Sequence, residues 1–166
     1  MNTSRKINIT LFIFFPIIVF FLSAFYPNEI INTKFKCPVD SGKISLKFGN
    51  QIHPILKKER HHDGIDIKLP IGSPVYSILR GKVIFAGYKG GFGKSITIKH
   101  ENGIETSYSH LNEIKVSENQ DINKSDKIGT VGNSGLSIGP HLHFEYRQNE
   151  KPLDPLLFID SSNLTF

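Results

Sequence analysis

Gly139-Pro140-His141-Leu142-His143-Phe144-Glu145-Tyr146-Arg147 reads as a short lead-in followed by a β-strand with two chemically opposed faces. In extended backbone, residues two apart share a side. Leu142, Phe144 and Tyr146 therefore belong to an apolar core face, while His141 and His143 share the opposite, polar one. A strand of this kind predicts a sheet that is buried on one side and carries a groove on the other.

Outward from that segment the pattern repeats. Alternating or β-branched runs over 43–48, 65–67, 75–79, 82–87, 95–100, 104–111, 127–132 and 142–147 read as strands. Arg80-Gly81 separates two of them. Asn102-Gly103 sits between Ile96-Thr97-Ile98 and the run from Ile104, a strong local signal for a tight hairpin. The polar stretch 117–127 reads as a loop or a weak edge strand. No helical period of ten or more residues occurs after residue 26, so the expected fold is mainly β, a compact antiparallel sheet domain with a substrate groove.

The amino-terminal stretch has a different character. Residues 7–26 are almost wholly apolar, broken by Asn8, Thr10, Pro16 and Ser23, and Arg5 and Lys6 precede them. About 20 such residues suffice to cross a bilayer, and the basic flank would stay in the cytoplasm. The reading is an N-terminal hydrophobic helix over 1–26, acting as a membrane anchor or a signal peptide, a linker over 27–36 and one domain over 37–166. Either form of the leader exports the domain to the outer face of the cytoplasmic membrane, the periplasm or the cell-wall space. A monomer is expected.

With 166 residues, 39% hydrophobic and 21% charged, the chain is ordinary for a globular protein. Its formal charge of +5 includes Arg5 and Lys6 and is too mild and scattered to indicate nucleic acid. Cys37 is the single cysteine, which rules out an internal disulfide and any Cys-x-x-Cys metal or redox motif. It reads as a buried or juxtamembrane thiol.

The histidines carry the chemistry. His62 and Asp66 lie four apart around Gly64, on one face if that segment is extended, with Ile65 and Ile67 turned to the core. His110 ends the alternating run Ile104, Thr106, Tyr108, His110, which reads as another strip of the groove face. A catalytic zinc takes three protein ligands, imidazole nitrogens and a carboxylate among them, and keeps one position open. His62, Asp66 and one of the two strand histidines supply that set. The remaining strand histidine and His110 become candidates for accepting the water proton and for assisting the oxyanion or the leaving amine. Tyr108 reads either as a substrate contact or as a packed side chain. His53, His61 and His100 read as polar surface residues.

The series Phe48-Gly49, His53-Pro54, His62-x-Gly64-x-Asp66, Thr106-x-Tyr108-x-His110-Leu111 and Gly139-Pro140-His141-Leu142-His143-Phe144-Glu145 resembles the lysostaphin/LytM-type metallopeptidases. The resemblance runs from Phe48 to Pro155, and Leu153-Asp154-Pro155 looks like the family's closing segment. It implies one zinc per chain held by His62, Asp66 and His143, with His110 and His141 as the catalytic pair. It also implies hydrolysis of the peptide stems and cross-links of bacterial peptidoglycan. Gln51 stands where many members carry Arg, and Asn119 and Ser125 stand where turn glycines are common. Of those two, Asn tolerates a positive φ better.

Other chemistries fail on spacing. The stretch from Gly87 to Gly93-Lys94-Ser95 has one residue too many for a phosphate-binding loop and leads into a strand instead of a helix. Gly132-Asn133-Ser134-Gly135-Leu136 lacks the second glycine of a nucleophile elbow. His100-Glu101 is not followed by the second histidine of a helical zinc motif. The alternative reading is a non-hydrolytic family member that regulates or recruits other wall hydrolases. Against it, no ligand or catalytic histidine is missing.

Overall fold

The computed structural model describes residues 34–52 and 57–166. The apolar leader, most of the expected linker, and His53-Pro54 lie outside the described residues. Among the described residues no helix is long and apolar enough to cross a membrane.

The described residues form thirteen strands: β1 (Gly42–Leu46), β2 (Gly49–Ile52), β3 (Glu59–His62), β4 (Ile65–Lys68), β5 (Pro74–Tyr76), β6 (Gly81–Tyr88), β7 (Lys94–Lys99), β8 (Ile104–Ile114), β9 (Asp121–Ile122), β10 (Lys127–Val131), β11 (His141–Gln148), β12 (Lys151–Leu153) and β13 (Leu164–Thr165). Eleven of them build one sheet with the central order β13-β1-β4-β11-β8-β7-β6-β9, to which β10 pairs beside β8, β5 beside β10 and β12 beside β11. Pairing is antiparallel apart from β1 with β13. β2 and β3 form a separate two-stranded hairpin.

The expected strands are all present, with ends shifted by a few residues. Edge strand β9 falls in the polar stretch 117–127 read as a loop or a weak edge strand, while the hairpin β2–β3 and the short strands β12 and β13 are additional. They are too short, or too polar, to show an alternating pattern. Asn102 and Gly103 both take positive φ, +56° and +70°, as a two-residue hairpin turn between β7 and β8 requires. Asn119 and Ser125 also stand at positive φ, +67° and +69°. Lys34–Lys36, read as linker, belong to the folded unit, since Phe35 bridges Ile159 and Phe35 N–H donates to the Phe158 carbonyl.

Beneath the central strands lies one core. Leu142 and Phe144 of β11, Ile65 and Ile67 of β4, Ile96 and Ile98 of β7 and Tyr108 of β8 are fully buried. Burying each such side chain stabilises the fold by about 1.5–3 kcal/mol. Cys37 is buried here as well, and burial pushes its thiol up to about 11.

One surface reading is corrected by this core. His100 is buried, its Nδ1–H donating to the Arg80 carbonyl (2.8 Å) and its Nε2 accepting from the Thr106 hydroxyl (2.7 Å). Tyr108 takes the packed alternative of its reading: it is buried, its ring lies 5.3 Å from that of Phe144, and its hydroxyl accepts from the Ile78 N–H. His61, by contrast, is exposed as expected.

Candidate metal centre

Register brings the first two groups together. His143 of β11 stands opposite Asp66 of β4, and Leu142 opposite Ile67, so both strands turn their core residues down and their polar residues up. The third group arrives by another route. Four residues of extended chain would separate the α-carbons of His62 and Asp66 by about 13 Å. Instead His62 ends β3 in the small hairpin, and the chain bends at Asp63-Gly64 before entering β4. A Cβ at Gly64 would collide with the Phe144 carbonyl, so this bend needs glycine. The single extended segment expected for 62–66 is therefore replaced by a corner between two sheets.

At that corner three acceptor atoms converge. His62 Nε2 lies 3.1 Å from Asp66 Oδ1 and 3.0 Å from His143 Nδ1, and His143 Nδ1 lies 2.8 Å from Asp66 Oδ1. The far side of each ring decides its tautomer. His62 Nδ1 faces the Lys47 carbonyl at 2.9 Å, which can only accept, so Nδ1 carries the proton and Nε2 is a bare lone pair. His143 Nε2 faces Glu145 Oε1 at 3.0 Å. The Glu145 carboxyl is held low: burial opposes its charge, but hydrogen bonds from His143 and Arg147 outweigh burial. His143 thus donates through Nε2 and presents Nδ1 to the site.

Asp66 is held well below the usual carboxylate range: burial opposes its charge, but the adjoining His143 and His62 imidazoles outweigh burial. Three acceptors within 3.1 Å of one another, with no donor between them, call for a cation. A proton can serve: burial opposes it, yet Asp66 and Glu145 together push His143 up to about 9. A divalent metal serves all three atoms at once. Ligand atoms around a four-coordinate zinc stand about 3.3 Å apart, only slightly wider than the spacing here. The donor set fits a metal, and His62, Asp66 and His143 are the group among the described residues that can hold one.

Behind these three groups a polar chain ties the corner together. Arg147 Nε donates to Glu145 Oε2 at 2.9 Å, and Arg147 Nη2 donates to Asp63 Oδ2 at 2.9 Å. Asp63 is the neighbour of His62, so one arginine links the His143 side of the corner to the His62 side.

His141 and His110 stand beside this centre. His141 Nδ1–H donates to the Gly139 carbonyl at 2.8 Å, and its Nε2 is 3.8 Å from Asp66 Oδ2. His110 Nδ1–H donates to the Ser134 carbonyl at 2.8 Å, and the two rings are 4.6 Å apart. Both keep a bare Nε2. Burial pushes His110 down to about 4 against the pull of the Ser134 carbonyl, so the imidazole is neutral at neutral pH.

Strict alternation does not carry His110 to the groove. Tyr108 pairs with Phe144 on the core face, so His110, two residues on, should follow it down. Between Ile96↔Tyr108 and Lys94↔Leu111, β7 advances two residues and β8 three. The extra residue is a β-bulge, and His110 takes φ +60° within it. That conformation costs about 1–3 kcal/mol and turns the ring to the groove side.

Sequence reasoning passed over three participants. Glu145 shares the groove face with His143 and was within reach of the same two-residue periodicity. Phe92, whose ring lies 5.5 Å from His143, and Ser134 approach from loops that carry no periodic signal. An open cleft of about 330 Å³ continues from the site over Thr97 and Ser107, walled by Phe92, Glu145 and Arg147.

Residues 60–155 match peptidase family M23. Over 119 residues the chain is 43% identical to the DD-carboxypeptidase/endopeptidase Mpg of Neisseria meningitidis serogroup B, an alignment covering 72% of this chain and 27% of that relative's length. A zinc-containing peptidase from Vibrio cholerae superposes with a TM-score of 0.69 at 35% identity, covering 75% of this chain and 40% of that one. The catalytic domain of lysostaphin from Staphylococcus simulans superposes with a TM-score of 0.64 at 30% identity, over 70% of this chain and 91% of that domain. With the fold, the His-Asp-His corner and these matches in agreement, the chain belongs to peptidase family M23, the lysostaphin/LytM-type metallopeptidases.

Proposed function

We propose that this chain is a zinc-dependent endopeptidase that hydrolyses the peptide cross-links of bacterial peptidoglycan. The observation that carries the reading is the convergence of three fixed acceptors, His62 Nε2, Asp66 Oδ1 and His143 Nδ1, beside two histidines with bare Nε2 atoms. The curated relative named above, of which this chain spans 27%, carries endopeptidase in its name, and a structural neighbour is a zinc-containing peptidase.

In this reading His62, Asp66 and His143 hold one zinc per chain. When bound, zinc lowers the pKa of a coordinated water to about 7 and polarises the scissile carbonyl. The protein supplies the rest. His110 and His141 each spend Nδ1–H on a backbone carbonyl, so each can take a proton only at Nε2. One of the pair would take the proton of the attacking water and later deliver it to the leaving amine, and the other, having taken a proton from solvent at Nε2, would donate a hydrogen bond to the developing oxyanion. A neutral His110 is in the right state to begin as the base. The cleft over Thr97 and Ser107 gives an extended wall peptide room along the sheet.

Peptidoglycan lies outside the cytoplasmic membrane, which agrees with export through the apolar segment over 7–26, and the chain is proposed to act as a monomer. The test is mass spectrometry of muropeptides after isolated sacculi are incubated with the purified protein, with and without a zinc chelator. Chelator-sensitive conversion of cross-linked dimers to monomers is the expected result. Unchanged dimers with zinc bound would instead favour a non-hydrolytic regulator.

A further inference from the structure

The two glycine-rich stretches that fail as a phosphate loop and as a nucleophile elbow lie against each other beside His110. Leu136 N–H donates to the Gly91 carbonyl at 2.7 Å, and Lys94 N–H donates to Ser134 Oγ at 2.9 Å. Gly135 has φ +76°, and a Cβ there would overlap the backbone of Gly91 and Gly93, so the contact admits only glycine. Lys94 Nζ closes the same seam by donating to the Asn112 carbonyl at 2.8 Å.

Ser134 sits at the middle of this seam and makes three hydrogen bonds around one bulged residue. Its carbonyl accepts from His110 Nδ1–H at 2.8 Å. Its hydroxyl donates to the carbonyl of Leu111, the next residue in the chain, at 2.8 Å, while accepting from Lys94 N–H. Ring and following peptide of His110 are thus bracketed by a single side chain and its own backbone. A hydroxyl committed to two backbone bonds is a structural hydroxyl. It is not poised as a nucleophile.

We propose that Ser134 is a positioning residue for His110: it holds the bulge open and fixes the imidazole as the Nδ1–H form, with Nε2 bare towards the metal centre. The inference rests on the reading of His110 as a member of the catalytic pair. Without the hydroxyl the 132–136 turn loses its two side-chain bonds to β7 and β8, the carbonyl is held less firmly, and the ring is free to change tautomer.

The test compares S134A, S134T and H110A in the full, zinc-loaded chain, with kcat and KM on cross-linked muropeptides, zinc content, and imidazole ¹⁵N chemical shifts as readouts. S134A is expected to lose kcat by about 10²-fold, as misplacing a catalytic group does. Its KM and zinc content stay unchanged, and the His110 ¹⁵N shifts leave the pure Nδ1–H pattern. S134T, which keeps the hydroxyl, restores kcat and the shifts. Wild-type kcat and unmoved shifts in S134A would overturn the proposal. Should S134A fail to fold, S134C, which keeps the size but weakens both hydrogen bonds, takes its place: a lower kcat with altered His110 shifts upholds the proposal, and wild-type kcat with unmoved shifts overturns it. Full activity in H110A would instead remove the catalytic reading of His110 and leave the tautomer measurement readable on its own.

Discussion

β11 and β8 are neighbours in one sheet and both deliver histidines to the groove, but by opposite means. β11 obeys its pleat: His141, His143 and Glu145 rise on one side while Leu142, Phe144 and Tyr146 pack on the other. β8 breaks its pleat. Its alternation sends Thr106 and Tyr108 into the core, and His110 reaches the groove through an extra residue at φ +60°. A regular strand places ligands cheaply and rigidly, which suits a metal. A bulge aims one side chain independently of the strand's other residues, which suits a proton carrier, at the cost of needing a loop to hold it.

Substitutions can separate the two means. His143→Ala removes a ligand from the regular strand and should abolish both metal retention and cleavage, read by metal analysis and muropeptide release. Full activity in that variant would sink the metal assignment. His110→Ala removes the bulged ring only. It should keep its metal and lose about 10²–10⁴-fold in turnover, the usual range for a general acid or base. Glu145→Ala leaves His143 in place but frees its Nε2–H, and should weaken metal affinity about 10–100-fold in a chelator competition.

A fourth histidine sharpens the contrast from the core side. His100 is buried, and burial holds its pKa below the ordinary value. The unfolded chain therefore takes up the proton first. Stability contributed by neutral His100 is present above about pH 6.5 and is lost as pH falls below it, by at most about 1.4 kcal/mol per pH unit. Urea unfolding of wild type and His100→Gln at pH 7.5 and pH 5 checks this, with the smaller pH dependence expected in the variant. The smallest effect is a gain: Ser125→Gly relieves a non-glycine residue at φ +69° and should stabilise the domain by about 1 kcal/mol in thermal unfolding.

What could be read from the chain follows the same division. Periodicity located the strands, the two faces of β11, and the core positions of Ile65 and Ile67. The hairpin at Asn102-Gly103 came from turn chemistry alone, and the positive φ at Ser125 from a missing glycine. The grouping of His62 with Asp66 was legible, but its cause was not, because a corner between two sheets depends on how closely Gly64 can approach the Phe144 carbonyl. His110 was assigned to the groove by alternation, which actually points Tyr108 and His110 into the core; the bulge that rescues it is a register event between β7 and β8. His100 looked like a surface residue because its partners, the Arg80 carbonyl and Thr106, come from segments that only folding brings together. The two-residue spacing left His141 and His143 undivided and the resemblance alone separated them; the carbonyl behind one ring and the carboxylate behind the other give that proposed split a physical reason.

That split is the centre of the account, and X-ray absorption at the zinc edge of the purified zinc-loaded protein tests it most directly. The account predicts a first shell of nitrogen and oxygen at about 2.0–2.2 Å, with outer-shell scattering from two imidazoles. Three or four imidazoles on the metal would contradict it, since His141 or His110 would then be a ligand and no longer free to carry a proton.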